Sequence, residues 1–185
     1  MEIVLYVLLY IILLTFAYGA VSAAPWIPTR RREREKIVES LPLRAGATLV
    51  ELGCGDANVL FAALRREPGL RAVGYDVAIV PLLFARMRRL FGGAKYRNLD
   101  LRWRDFFTQD LTGADMVFVF LLASSYPKLK AKFARELRDD CAVAVEAWPM
   151  PGIEAERTVQ EQGVLPLYLY RGRQFRAAEG VASDT

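Results

Sequence analysis

The run Glu51-Leu52-Gly53-Cys54-Gly55-Asp56 sets two acids around two glycines at the end of a short apolar stretch. Glycines at such a turn let the backbone approach a ligand with no Cβ in the way. In open α/β sheets, ligands bind outside the carboxyl ends of the strands. A dinucleotide fingerprint would read G-x-G-x-x-G, but its third glycine position holds Asn58. Glu51, two residues before the first glycine, would repel a pyrophosphate. It suits a ligand that carries a positive group. Asp76 ends the next strand, 25 residues after Glu51, where it could accept hydrogen bonds from ribose hydroxyls. Asp105, in Arg104-Asp105-Phe106-Phe107, follows a third strand and could accept a bond from an exocyclic amine, with Phe106 beside the base. Plainer roles compete with these. The glycines could serve only the turn, Asp56 could cap a helix, and Asp105 could be a surface turn acid. Cys54 reads as a small packed residue and not as a nucleophile.

Other chemistry is excluded by composition. The 185 residues include no histidine. That removes Ser-His-Asp and Cys-His nucleophile systems, histidine metal ligands and an imidazole base. Two cysteines, Cys54 and Cys141, cannot build a four-cysteine zinc site, and no metal is expected. Nothing in their spacing suggests a disulfide framework. The chain holds 20 Arg and 5 Lys against 21 acids, so no large basic face and no nucleic-acid partner is expected.

The hydrophobic fraction, 54%, is concentrated at the N-terminus. No charge occurs from Ile3 to Thr29. A bilayer core needs about 20 helical residues, so residues 3–24 are expected to form one transmembrane helix. Trp26 stands where an interfacial aromatic would sit, and Pro25 and Pro28 end the run. The cluster Arg30-Arg31-Arg32-Glu33-Arg34-Glu35-Lys36 follows. Basic residues directly after a span stay inside, so a single-pass membrane protein with its catalytic domain facing the cytoplasm is expected. A cleaved signal ending near Ala24 is the alternative, but Glu2 replaces the basic residues such signals begin with. The expected division is an anchor over 1–28, one globular domain over 29–175 and a loose tail over 176–185.

The elements that must position the acids follow from periodicity. Helices are expected over Arg34–Leu41, Val59–Arg66, Ile79–Phe91 and Lys128–Leu137. Strands are expected over Thr48–Leu52, Arg71–Asp76, within Lys95–Arg102, and over Met116–Leu122 and Cys141–Ala147. In the third helix Ile79, Leu82, Leu83, Met87 and Leu90 share one face. Lys128, Lys130 and Lys132 read as a solvated helix face. Glu156–Gln160 and Leu165–Arg171 flank Gly163 as an antiparallel edge hairpin. The alternation argues a doubly wound, mostly parallel α/β sheet with that hairpin at one edge.

The apolar-Glu-x-Gly-x-Gly-Asp run, the acid ending the second strand and the Asp-Phe after the third resemble class I (seven-strand) S-adenosylmethionine-dependent methyltransferases over residues 28 to about 150. Pro28-Thr29, ELGCGD, Gly74-Tyr75-Asp76-Val77, the segment Leu129–Leu137 and Trp148-Pro149-Met150-Pro151 resemble a smaller group within them. It holds the mitochondrial lysine methyltransferases of the ATP synthase c-subunit and the adenine nucleotide translocase, with short archaeal protein-lysine methyltransferases. The resemblance implies a Rossmann-like fold and S-adenosyl-L-methionine as cofactor. It implies Glu51, Gly53, Gly55, Asp56, Asp76, Val77, Asp105 and Phe106 as cofactor-binding residues. Two departures stand out: Gly-Asp-Gly becomes Gly55-Asp56-Ala57, and the Asn-Pro-Pro-Tyr that holds planar nitrogens is replaced by Leu121-Leu122-Ala123-Ser124-Ser125-Tyr126-Pro127. The second leaves lysine or a small molecule as acceptor. Ser124, Tyr126 and Trp148, after strands four and five, could line the acceptor pocket or simply pack their loops. The expected activity is protein-lysine N-methylation of a membrane-associated protein. A lipid, quinone or other small-molecule methyltransferase is the alternative, and a non-catalytic module of the same fold a further one.

Overall fold

The computed structural model describes residues 2–7, 9–10, 13 and 29–183. Seven strands form one sheet in the order β3-β2-β1-β4-β5-β7-β6. They are β1 (Thr48–Leu52), β2 (Arg71–Asp76), β3 (Leu99–Trp103), β4 (Met116–Val119), β5 (Ala142–Glu146), β6 (Arg157–Val159) and β7 (Leu167–Arg171). The first five are parallel, and β7 and β6 close the edge antiparallel. The helices are α1 (Arg31–Ser40), α2 (Asn58–Arg66), α3 (Ile79–Gly92), α4 (Tyr126–Glu136) and α5 (Gly172–Ser183).

Central strands of a parallel sheet are covered on both faces, and MVFV of β4 and AVAVE of β5 are buried throughout. The register places Glu51 beside Phe118 and Phe118 beside Ala144. Their face packs Leu49, Phe118 and Ala144 against Ile37 and Val38 of α1, Phe61 and Leu64 of α2 and Leu82 of α3. The other face packs Val50, Val117 and Val143 against Tyr126, Leu129 and Phe133 of α4 and Phe175 of α5. From β1 the chain winds outward through β2 and β3, then returns to β4 on the other side. The switch point lies between the carboxyl ends of β1 and β4, where a crevice opens in such sheets.

Several expectations are corrected. Among the described residues no helix is long and apolar enough to cross a membrane. This corrects the transmembrane helix expected over residues 3–24 as far as its described residues go. The described residues there form a short helical stretch, and the rest of 1–28 lies outside the described residues. The tail expected over 176–185 is helical through Ser183 within α5, because Phe175 anchors that helix against Phe133 with ring centroids 5.1 Å apart. Lys132 does not share the solvated face of Lys128 and Lys130. It is buried and held by Glu136 at 2.7 Å and by the Gln109 carbonyl. In α3 Leu82 alone of the expected apolar face is buried: it packs inward with Pro81 and Ala85, while Leu83, Met87 and Leu90 are exposed. The helix lies near the edge of the sheet, where a narrow strip of small residues suffices for contact.

Candidate active site

The glycine turn follows β1 and is held by β2. Gly53 and Cys54 both donate backbone N–H to the Tyr75 carbonyl, at 2.9 and 3.0 Å. Gly53, Gly55 and Ala57 all have positive φ, of 73°, 52° and 57°. Left-handed backbone suits the two glycines and costs Ala57 roughly 1 kcal/mol. Where relatives of this motif carry a third glycine, the chain keeps the glycine conformation without the glycine. Ala57, and not Asp56, occupies the N-cap of α2, while Asp56 accepts from Asn58 Nδ2. Arg88 of α3 donates to Asn58 Oδ1 at 2.7 Å and so braces the same corner.

Asp76 ties this turn to β2. Its Oδ2 accepts from Gly55 N at 2.6 Å and its Oδ1 from Ala78 N at 2.7 Å. Glu51 is buried on the α1 face, and its Oε2 has no hydrogen-bond partner. Burial first, and then the Asp56 carboxylate, push the Glu51 carboxyl well above its usual range. Asp76 and Glu146 push in the same direction. Burial also raises Asp76, against the backbone N–H groups that hold it. It raises Asp56, which Arg88 partly offsets. Burial, then Asp76 and Glu51, drive the Cys54 thiol up, so Cys54 is an inert packed residue. A buried, electron-rich corner with an orphaned carboxylate oxygen is arranged for a cation.

The remaining candidates sit around this corner. Val77 accepts from Trp103 Nε1 through its carbonyl at 2.9 Å, which fixes the start of α3. Asp105 lies just beyond β3, and its Oδ1 accepts from Phe107 N at 2.9 Å within a short 3-10 turn. Phe106 is buried with Val50, Leu52 and Tyr75, on the sheet face opposite Glu51. Ser124 is exposed in the turn after β4. Tyr126 is fully buried, and its hydroxyl donates to the Trp148 carbonyl at 3.3 Å, joining the loops after β4 and β5. The Trp148 side chain is 45% exposed at that junction.

Glu146, the last residue of β5, escaped the sequence reading. It is fully buried, and neither carboxylate oxygen has a hydrogen-bond partner. Lys36 of α1, also buried, approaches to 3.8 Å and donates to the Leu165 carbonyl. Burial raises the Glu146 carboxyl to about 7, with Lys36 pulling the other way. Its signal was a single acid closing an apolar strand, the same signature that drew attention to Glu51.

The site begins at Glu51, and so does the match to a known family. The ANTKMT methyltransferase domain matches residues 51–157. The chain belongs to the ANTKMT methyltransferase family. It is 24% identical to a protein-lysine N-methyltransferase of Saccharolobus islandicus (strain REY15A), over 81% of this chain and 94% of that protein. It is 30% identical to a trans-aconitate 2-methyltransferase of Azoarcus sp. (strain BH72), over 63% of this chain but under half, 45%, of that protein. Among solved structures it resembles an RNA methyltransferase from Salinibacter ruber in complex with S-adenosyl-L-homocysteine. The TM-score is 0.73 at 25% identity, with 78% of this chain and 93% of that one covered. A precorrin-6y C5,15-methyltransferase from Geobacter metallireducens, with TM-score 0.60 and 18% identity over 79% and 88% of the two chains, shows the fold alone.

This family member is an S-adenosyl-L-methionine-dependent methyltransferase. The residues present fit that cofactor. Its ammonium and sulfonium are cations, and the corner offers the unpartnered Glu51 oxygen beside two further carboxylates. Glu51, Gly53, Gly55 and Asp76 would hold it.

Proposed function

We propose that this methyltransferase acts on the side-chain amine of protein lysine. The observation that carries the reading is the relative named for that activity, matched over nearly all of its own length. The loop after β4 supports it, since Leu121–Pro127 lacks the Asn-Pro-Pro-Tyr that grips planar amide and base nitrogens. The acceptor class rests on these two points and on no membrane span.

Bound at the glycine turn, the cofactor supplies a methyl group on a sulfonium. The protein's task is to place a neutral amine in line with that methyl, about 3 Å away, and to exclude water. Transfer would join that methyl to the lysine nitrogen and leave the C–S electron pair on sulfur. The ammonium proton must leave before attack. Burial lowers a lysine pKa, so a desolvating slot does part of this work without histidine. In this reading the loops joined by Tyr126 and Trp148 would wall such a slot, with the exposed Trp148 ring and Ser124 near its mouth; the support is the hydrogen bond that joins the loops and the exposure of those two side chains.

The test is transfer from radiolabelled S-adenosyl-L-methionine to a native-cell lysate, followed by separation of protein, RNA and solvent-extractable fractions. Label on protein, mapped to lysine by mass spectrometry, is expected. Label confined to RNA or to a small molecule would overturn the assignment. Asp76→Ala should weaken S-adenosyl-L-homocysteine binding by about tenfold or more in calorimetry, since a carboxylate hydrogen bond is worth roughly 1.5–3 kcal/mol.

A further inference from the structure

Helix α3 shows an apolar stripe to solvent. Leu83, Phe84, Met87, Leu90 and Phe91 are exposed, Leu90 to 76% and Phe91 to 82%. Trp103, beside the start of the helix, is half exposed. Isolated exposed apolar residues are ordinary, but a contiguous stripe with aromatic rings marks an interaction surface.

Charge is concentrated in the same stretch. Between Val77 and Arg104 the chain carries seven of its 25 cations and one of its 21 acids. That local balance of +6 exceeds the whole chain's +4, so the remainder is net acidic. The totals from which no large basic face is expected thus contain a local excess of cations. Arg86, Arg89 and Arg97 line a cleft of about 560 Å³ with Leu90, Gly93 and Leu101, and no acid lines it. Arg86 and Arg89 are held by the Leu101 and Tyr96 carbonyls, at 3.1 and 3.4 Å. Among the described residues these three arginines and Lys95 form no salt bridge, whereas most salt bridges elsewhere use arginine.

We propose that the α3 face docks the protein onto an anionic lipid surface, with the apolar stripe in the headgroup–acyl boundary and the arginine cleft on lipid phosphate. A helix with apolar and aromatic residues on one side and arginines beside them is the pattern that lies in a bilayer interface. The stripe runs along the exposed side of one helix with cations beside it, which fits an anionic fluid surface. A second copy would bring two positive faces together. Docking is from one side, by a helix face, and involves no spanning segment. Because α3 begins three residues after Asp76, it holds the cofactor corner close to the lipid. The inference stands whether or not lysine is the acceptor.

The test uses the full chain and flotation with phosphatidylcholine vesicles, with and without phosphatidylglycerol. Any contribution from residues 1–28 is common to all variants. Lys95→Gln with Arg97→Gln removes two exposed cations. Each is worth about fivefold near an anionic leaflet, so binding to the anionic vesicles should fall about 25-fold at low salt. Phe84→Ser with Phe91→Ser should weaken it roughly tenfold or more. Arg135→Gln with Arg157→Gln makes the same charge change elsewhere and should leave binding unaltered. Retained S-adenosyl-L-homocysteine affinity shows that each variant is folded. The proposal is overturned if both α3 pairs bind as the parent does. It is equally overturned if the control pair loses as much, or if parent binding is the same without phosphatidylglycerol. Loss of self-association in light scattering on Phe84→Ser/Phe91→Ser, with vesicle binding intact, would make the face an interface between copies instead.

Discussion

Glu146 gives the protein a stability that depends on pH in an unusual direction. Its carboxyl titrates at about 7 when folded, against an ordinary value of 4.5. The folded state therefore holds this proton more tightly than the unfolded chain. The contribution is fully present below about pH 4.5 and is lost as pH rises through 7. The gap of about 2.5 units, at 1.36 kcal/mol per unit, amounts to about 3 kcal/mol. For a chain of this length that corresponds to roughly 6–12 °C in Tm. The perturbation is Glu146→Gln, which keeps the shape and removes the proton. Lys36, left without its counter-charge, lowers the variant's absolute stability, so the readout is the change in the difference. Urea unfolding of both proteins from pH 4.5 to 8 should show the parent losing about 3 kcal/mol relative to Glu146→Gln. Parallel curves across that range would show that Glu146 is not held in a desolvated site, and the reasoning would fail.

Gly74→Ala would set a Cβ 2.8 Å from Cys54 Sγ and 2.9 Å from Leu60 Cδ1 beneath the glycine turn. A loss of about 1–3 kcal/mol in denaturant titration is expected, with weakened S-adenosyl-L-homocysteine binding because the turn itself must shift. Lys132→Met should cost roughly 1–3 kcal/mol, since it removes the counter-charge of Glu136, left with only the Leu111 N–H, and the donor to the Gln109 carbonyl, whereas Lys130→Met should cost little. Both cysteines are buried, and burial pushes the Cys141 thiol to about 12, so a thiol reagent should titrate no cysteine in the native protein and two in denaturant.

What the sequence settled by itself was local. A glycine turn closing an apolar strand, with acids at Glu51 and Asp76, is written in consecutive residues. The backbone freedom of glycine and the charge of a carboxylate need no distant partner to be recognised. Strand and helix alternation carried the sheet architecture for the same reason: periods of 2 and 3.6 are local signals. The tertiary structure decided which side of each element faces inward. The apolar face of α3 points to solvent because the nearby edge of the sheet needs only Pro81, Leu82 and Ala85. Lys132 is buried because the Gln109 carbonyl, from the loop after β3, meets it beside Glu136, one turn along its own helix. Residues 176–183 became helix because Phe175 found Phe133 across the sheet's second face. The stretch of apolar residues at the N-terminus satisfied a length rule for crossing a bilayer, yet among the described residues no such helix forms. Glu146 and Lys36 meet across 110 residues of chain, and Glu51 and Glu146 share a sheet face through the register of β4. Pairings of that range are fixed by strand order and packing, and no window of sequence contains them.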